Sequence, residues 1–166
     1  MRAKDIPQGV LPDQRGLYYG GAWHAPKAGA SAPTINPTYN EVITTAPLAD
    51  AADVDAAVQA AHAAFPAWAS TKPVERGRYL RHAAAVLREH AQPLALLDAL
   101  NNGNPISALA MDAGFAADCL DYFAGLATEV KGETIPMGDG NFNYTVQEPL
   151  GVVARIHWHA LLLWLK

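Results

Sequence analysis

The sequence has a single cysteine, no cluster of basic residues and no long apolar stretch. One cysteine excludes an intrachain disulfide framework and fits a reducing compartment. Twelve Lys+Arg against 16 Asp+Glu leave a formal net charge of −4, so the chain offers no electrostatic footprint for nucleic acid. Its most apolar tract, residues 160–165, is far short of the ~20 residues a membrane-spanning helix needs. Residues 1–16 are polar and broken by Pro7 and Pro12, which does not read as a secretory signal. Phosphate-cradling glycines are lacking too: Gly20-Gly21 precedes no helix, and Gly138-Asp139-Gly140 leads into a strand. There remain 166 residues, 51% hydrophobic and 17% charged, enough for one core-forming domain of a cytoplasmic, acidic α/β protein.

Residues 1–16 read as a flexible arm. Strand and turn signals follow at residues 17–23 and 34–43, giving a small hairpin layer. Four helices come next. Asp50 is a candidate N-cap for the first, whose stripe Val54, Val58, Ala61 and Phe65 ends at Pro66. The second has Thr71 as candidate cap, Pro73 in its first turn, and Leu80, Ala84, Leu87 and Ala91 inward. The third uses Leu94, Leu97 and Leu100 and stops at Asn101-Asn102-Gly103. Asn104-Pro105 caps and starts the longest, with Ile106, Leu109, Ala113, Ala116, Leu120, Phe123, Ala127 and Val130 on one side up to Gly132.

Residues 141–156 carry the most information. Phe142, Tyr144 and Val146 alternate with Asn143, Thr145 and Gln147, the pattern of a half-exposed strand. Glu148-Pro149-Leu150-Gly151 interrupts it. Val152-Val153-Ala154-Arg155-Ile156 then reads as a strand covered on both faces, as in a parallel sheet.

In this order the landmarks resemble the N-terminal third of an NAD(P)-dependent aldehyde dehydrogenase. The resemblance rests on Ile35-Asn36-Pro37, Asp53-Val54-Asp55-Ala56-Ala57-Val58, Ala64-Phe65 with Trp68, Arg76 with Leu80 and Leu87, and Leu100 with Gly103 and Pro105. Its densest part is Tyr122-Phe123-Ala124-Gly125-Leu126-Ala127, Gly132-Glu133-Thr134-Ile135-Pro136 and Glu148-Pro149-Leu150-Gly151-Val152. It spans residues 17–156. Each piece is weak alone; their order makes the match.

The resemblance implies an α/β fold: hairpins and a four-helix segment of the cofactor-binding domain at 17–140, a bridging, oligomerising strand at 141–149, and the first Rossmann strand at 150–157. The sheet is incomplete, and 158–166 is a divergent tail. It further implies a homo-oligomer, dimer or tetramer, with no nucleic-acid or membrane partner. The complete enzyme would oxidise an aldehyde to a carboxylic acid with NAD or NADP through a cysteine thioester. Ile156 and Trp158 would form one wall of the nicotinamide site. A monovalent cation would lie at the backbone of Thr34 or Ile35 and the side chain of Asn101. Asparagine there brings no charge, so a hard cation would be held more weakly.

The chain departs from the family after Ile156. There the family has an asparagine whose amide donates to the developing oxyanion, a contribution of ~3 kcal/mol or more. Here no asparagine follows Asn143, as though the chain were truncated or frameshifted. Cys119 does not replace the nucleophile: it sits mid-helix between Asp118 and Asp121, which disfavour a thiolate. His62, His82 and His90 read as solvated, as do Asp98, Asp112 and Asp118 on their helix faces. The expectation is a fragment that binds no cofactor tightly and is inactive alone. Two other readings stand beside it: a non-catalytic interaction module pairing through strand 141–147, and a small metal-binding protein using His157 and His159.

Overall fold

The computed structural model describes residues 1–156; His157, Trp158 and His159, and every expectation placed on them, lie outside the described residues. The described residues form three two-stranded antiparallel hairpins and four α-helices. β1 (Leu17–Tyr19) pairs with β2 (Ala22–His24) through Gly20 and Gly21, both at positive φ as a tight hairpin turn requires. β3 (Ser31–Asn36) pairs with β4 (Glu41–Pro47). In that pair Thr34 faces Thr44 while Ile35 faces Val42, leaving Ile43 as the bulged residue, its side chain buried.

α1 (Ala51–Ala69) begins with a reciprocal cap: Asp53 N–H donates to Asp50 Oδ1 at 2.9 Å and Asp50 N–H to Asp53 Oδ2 at 3.2 Å. Asp53 is 1% exposed and also accepts the Lys27 N–H on both oxygens, at 3.1 and 3.2 Å. One carboxylate thus ties the β2–β3 connection to the helix start. The helix passes its expected stop at Pro66, because the Pro66 carbonyl still accepts Ser70 N–H at 3.2 Å and only the proline's own donor is lost. Its apolar stripe is not inward: Val54 is 55% exposed, and Val58 and Ala61 are exposed too.

α2 (Pro73–Glu89) is capped by Lys72, not Thr71, whose hydroxyl instead donates to Ala67 O at 3.1 Å and closes α1. α3 (Ala91–Asn102) ends as expected at Gly103, left-handed at φ 79°. α4 (Ile106–Leu126) has 21 residues and stops short of Gly132. Its cap position is Pro105, since the Asn104 N–H donates to Asn102 Oδ1 at 2.8 Å. At ~1.5 Å per residue α4 is about 31 Å long.

Ala84, Leu87, Leu94 and Ala117 form one core where α2, α3 and α4 meet, with Ala116 and Leu120 at its margin. Val10, Ile43 and Leu100 form the second, joining β4 to α3. The arm expected at 1–16 is therefore docked over its first part: Ala3 and Ile6 pack beside the buried Val10. Its apolar residues, few as they are, find a groove that β4 and α3 leave open. Arg88 spans α2 and α4, reaching Asp118 at 2.7 Å and Asp121 at 2.8 Å.

Beyond α4 the chain leaves the body. β5 (Thr134–Pro136) pairs with β6 (Phe142–Tyr144), and residues 128–150 are exposed throughout. Gly132 is required there: a Cβ on it would stand 1.7 Å from Thr145 O. Residues 152–156 join no ladder among the described residues.

Two substitutions test this architecture by urea unfolding. Asp53→Ala removes a cap and strands the Lys27 and Asp50 donors, so it is expected to cost about 2–3 kcal/mol; a change within experimental error would refute its tying role. Leu87→Ala opens a cavity among the helices and is expected to cost roughly 2–4 kcal/mol.

Candidate functional site

The residues expected to hold a ligand sit where β3 meets α3. Thr34 is half-buried and Ile35 exposed at the bulge; Asn101 is half-buried in the last turn of α3. The packing brings the strand carrying Thr34 and Ile35 alongside the helix carrying Asn101. Around this junction the polar side chains serve the backbone. Buried Asn36 accepts Thr38 N–H at 3.0 Å and donates to Met1 O at 3.1 Å. Gly103 allows the close approach of α3 to the β3–β4 turn, since a Cβ there would meet Pro37 Cγ at 3.0 Å. A cavity of about 290 Å³ lies here, lined by Asn36, Thr38, Leu96, Leu100 and Gly103 among others.

The groups that would hold a cation here, the backbone of Thr34 and Ile35 and the Asn101 amide, are neutral. No group of three or more His, Cys, Asp or Glu side chains converges among the described residues. Peptide carbonyls and one amide lack the carboxylate that gives hard-cation sites their strength, so the residues present do not fit a tightly held cation. The nearby acid on α3 is Asp98. It was expected on a solvated face, yet it is 4% exposed and accepts the Asn102 amide at 3.1 Å. Four residues after Leu94, it shares that residue's buried face, and the amide partner makes its burial tolerable.

The other candidates scatter. Ile156, expected on the nicotinamide wall, is 94% exposed. Cys119 is half-buried in α4. Its neighbours Asp118 and Asp121 both bind Arg88, whose guanidinium they hold above its ordinary value through hydrogen bonds and charge. Reading the helix faces separately missed this clamp; only the crossing of α2 and α4 brings Arg88 and its acids together. His62, His82 and His90 are exposed, as expected, and His90 Nδ1 lies 3.0 Å from Val86 O at the end of α2. Nucleophile, base and cofactor groups do not meet at any point among the described residues.

Comparison with known proteins accounts for such a scaffold. The model of the "Aldehyde dehydrogenase family" matches residues 23–158. Aldehyde dehydrogenase tropH of Talaromyces stipitatus is 47% identical over 149 residues, covering 88% of this chain and 29% of that protein. The crystal structure of PnpE in complex with nicotinamide adenine dinucleotide superposes with a TM-score of 0.75 at 39% identity, over 79% of this chain and 27% of PnpE. A variant of an aldehyde dehydrogenase from Bacillus cereus gives a TM-score of 0.78 at 33% identity, over 83% of this chain and 29% of that enzyme. The chain thus spans under a third of each relative's length. The family match over residues 23–158 and the 47% identity to a curated relative show that the chain belongs to the aldehyde dehydrogenase family.

Proposed function

We propose that this chain is the N-terminal portion of an NAD(P)+-dependent aldehyde dehydrogenase and is inactive by itself. In the complete enzyme an aldehyde is oxidised to its acid through a cysteine thioester, and NAD+ or NADP+ accepts the hydride. PnpE, solved with nicotinamide adenine dinucleotide, supports that choice of cofactor. The observation that carries the reading is the surface of α4. Phe115 is 72% exposed, and Met111, Tyr122 and Phe123 are exposed along with it. Such a patch marks a contact surface, and relatives more than three times longer have chain to cover it. Cys119 is half-buried in α4 between Asp118 and Asp121, acids that do not favour a thiolate, so in this reading the chemistry belongs to residues outside this scaffold. Acidic charge, one cysteine and the lack of any described helix long and apolar enough to cross a membrane agree with a cytoplasmic enzyme.

The exposed hairpin β5–β6 serves oligomerisation in this reading. Phe142, Tyr144 and Val146 offer an apolar row to another subunit, and among the described residues the outer edge of β6 pairs with no further strand. The same feature would serve a non-catalytic interaction module, so activity and assembly need separate tests. Purified chain given aldehyde and NAD+ or NADP+ is expected to form reduced nicotinamide no faster than an enzyme-free blank. Turnover above the blank would overturn the inactive reading. Phe142→Asp is expected to lower self-association in sedimentation velocity without changing helical circular dichroism; unchanged sedimentation would remove the hairpin from assembly.

A further inference from the structure

The polar contacts that hold residues 1–10 to the body centre on one acidic side chain. Glu41, the first residue of β4, binds the Arg2 guanidinium with Oε1 and the Ala3 N–H with Oε2, the latter at 3.1 Å. Arg2 also lies over the Tyr39 ring, 4.7 Å from its centroid. The Asn36 amide adds one bond to Met1 O at 3.1 Å. The segment's backbone bonds close on itself, from Asp5 to Arg2, Ile6 to Ala3 and Val10 to Pro7. Apolar anchoring comes from Val10, buried against Ile43 and Leu100, with Ala3 and Ile6 partly covered. These contacts stand against the entropy of ordering the whole segment, and the Glu41 clip adds its charge-assisted bonds to them. Met1 forms one wall of the cavity at the β3–α3 junction.

We propose that residues 1–10 are a releasable strap, docked over the β3–α3 junction while Glu41 is ionised and loosened when Glu41 takes a proton. An ionised carboxylate accepts from a guanidinium and a backbone N–H together with charge assistance; a protonated one loses that assistance. The groups facing Glu41 are Arg2 and Lys4, both cationic, while Asp5 and Tyr39 face Arg2. The Ala3 N–H first, and then the Arg2 guanidinium, hold the Glu41 carboxyl below its ordinary value of 4.5. A carboxylate lowered in the docked state contributes fully above its released value and loses that contribution as pH falls through the docked one. The strap is therefore closed at neutral pH and opens on the acid side of 4.5.

An NMR pH titration of the whole chain tests this, with the Leu87 methyls reporting the helical core. The Ala3 amide and Val10 methyl resonances are expected to move together towards random-coil positions, with a shared midpoint below 4.5, while Leu87 keeps its shifts. In Glu41→Gln the Ala3 response vanishes, and Val10 amide exchange at neutral pH quickens roughly threefold to fivefold, as for loss of an exposed charged pair. Arg2→Gln keeps the Ala3 bond and moves the midpoint upward. Three results would each overturn the strap: an Ala3 amide without that titration, Val10 methyls at random-coil positions at neutral pH, or Leu87 losing its dispersion at the same midpoint.

Discussion

The four-helix segment depends on how closely α2 and α4 approach. A Cβ on Gly77 would stand 2.9 Å from the carbonyl oxygen of Ala124, so glycine is what lets the two backbones touch. Near the same crossing Ala84, Leu87 and Ala117 share one buried core with Leu94, and Ala124 is buried beside Gly77. Cohesion comes from many short dispersion contacts between backbones, which a seam of small residues permits. The crossing also sets the electrostatics. Arg88 leans back towards the start of its own helix, as long helical side chains do, and so meets Asp118 and Asp121. Those groups are exposed, so the clamp fixes registry more than it adds stability.

A tight seam on one side of α4 leaves the other side bare. Met111 and Phe115 are one turn apart, Tyr122 and Phe123 lie further along, and all four face solvent. α1 repeats the situation with Val54 and Val58. These stripes have the periodicity of buried helix faces, and burial is what periodicity ordinarily signals. The relatives' chains are about three times as long as this one, which spans under a third of their length.

The sequence was legible wherever a local rule acted alone. The Asp50 cap, Pro73 in the first turn of α2, the Gly103 stop and the Gly20-Gly21 turn all stand as read, because each depends on residues close together in the chain. Tertiary context decided the rest. Thr71 lost its cap to a competing bond with Ala67, Pro66 was carried through because the helix on either side could hold it, and Ala117 rather than Ala116 entered the core. Asp98 shows the limit most clearly. A charged residue in a helix reads as solvated, but its partner Asn102 lies one turn away and makes burial tolerable. The Arg88 clamp and the docking of residues 1–10 join segments more than twenty-five positions apart, a separation no window of sequence spans.

The same distinction separates family from chemistry. Motif order identified the family because caps, turns and small-residue seams repeat wherever the fold does, and each leaves its mark locally. A catalytic centre is built the other way, from a few atoms brought together out of distant segments. Residues 152–156 stand at that boundary. Their composition is that of a buried parallel strand, yet they join no strand ladder among the described residues, and Ile156 faces solvent. A strand of this kind acquires its structure, and any place in a nicotinamide site, only from neighbours in the same sheet. The scaffold that leads up to it packs its own two cores, and the helices hold their shape on those contacts alone.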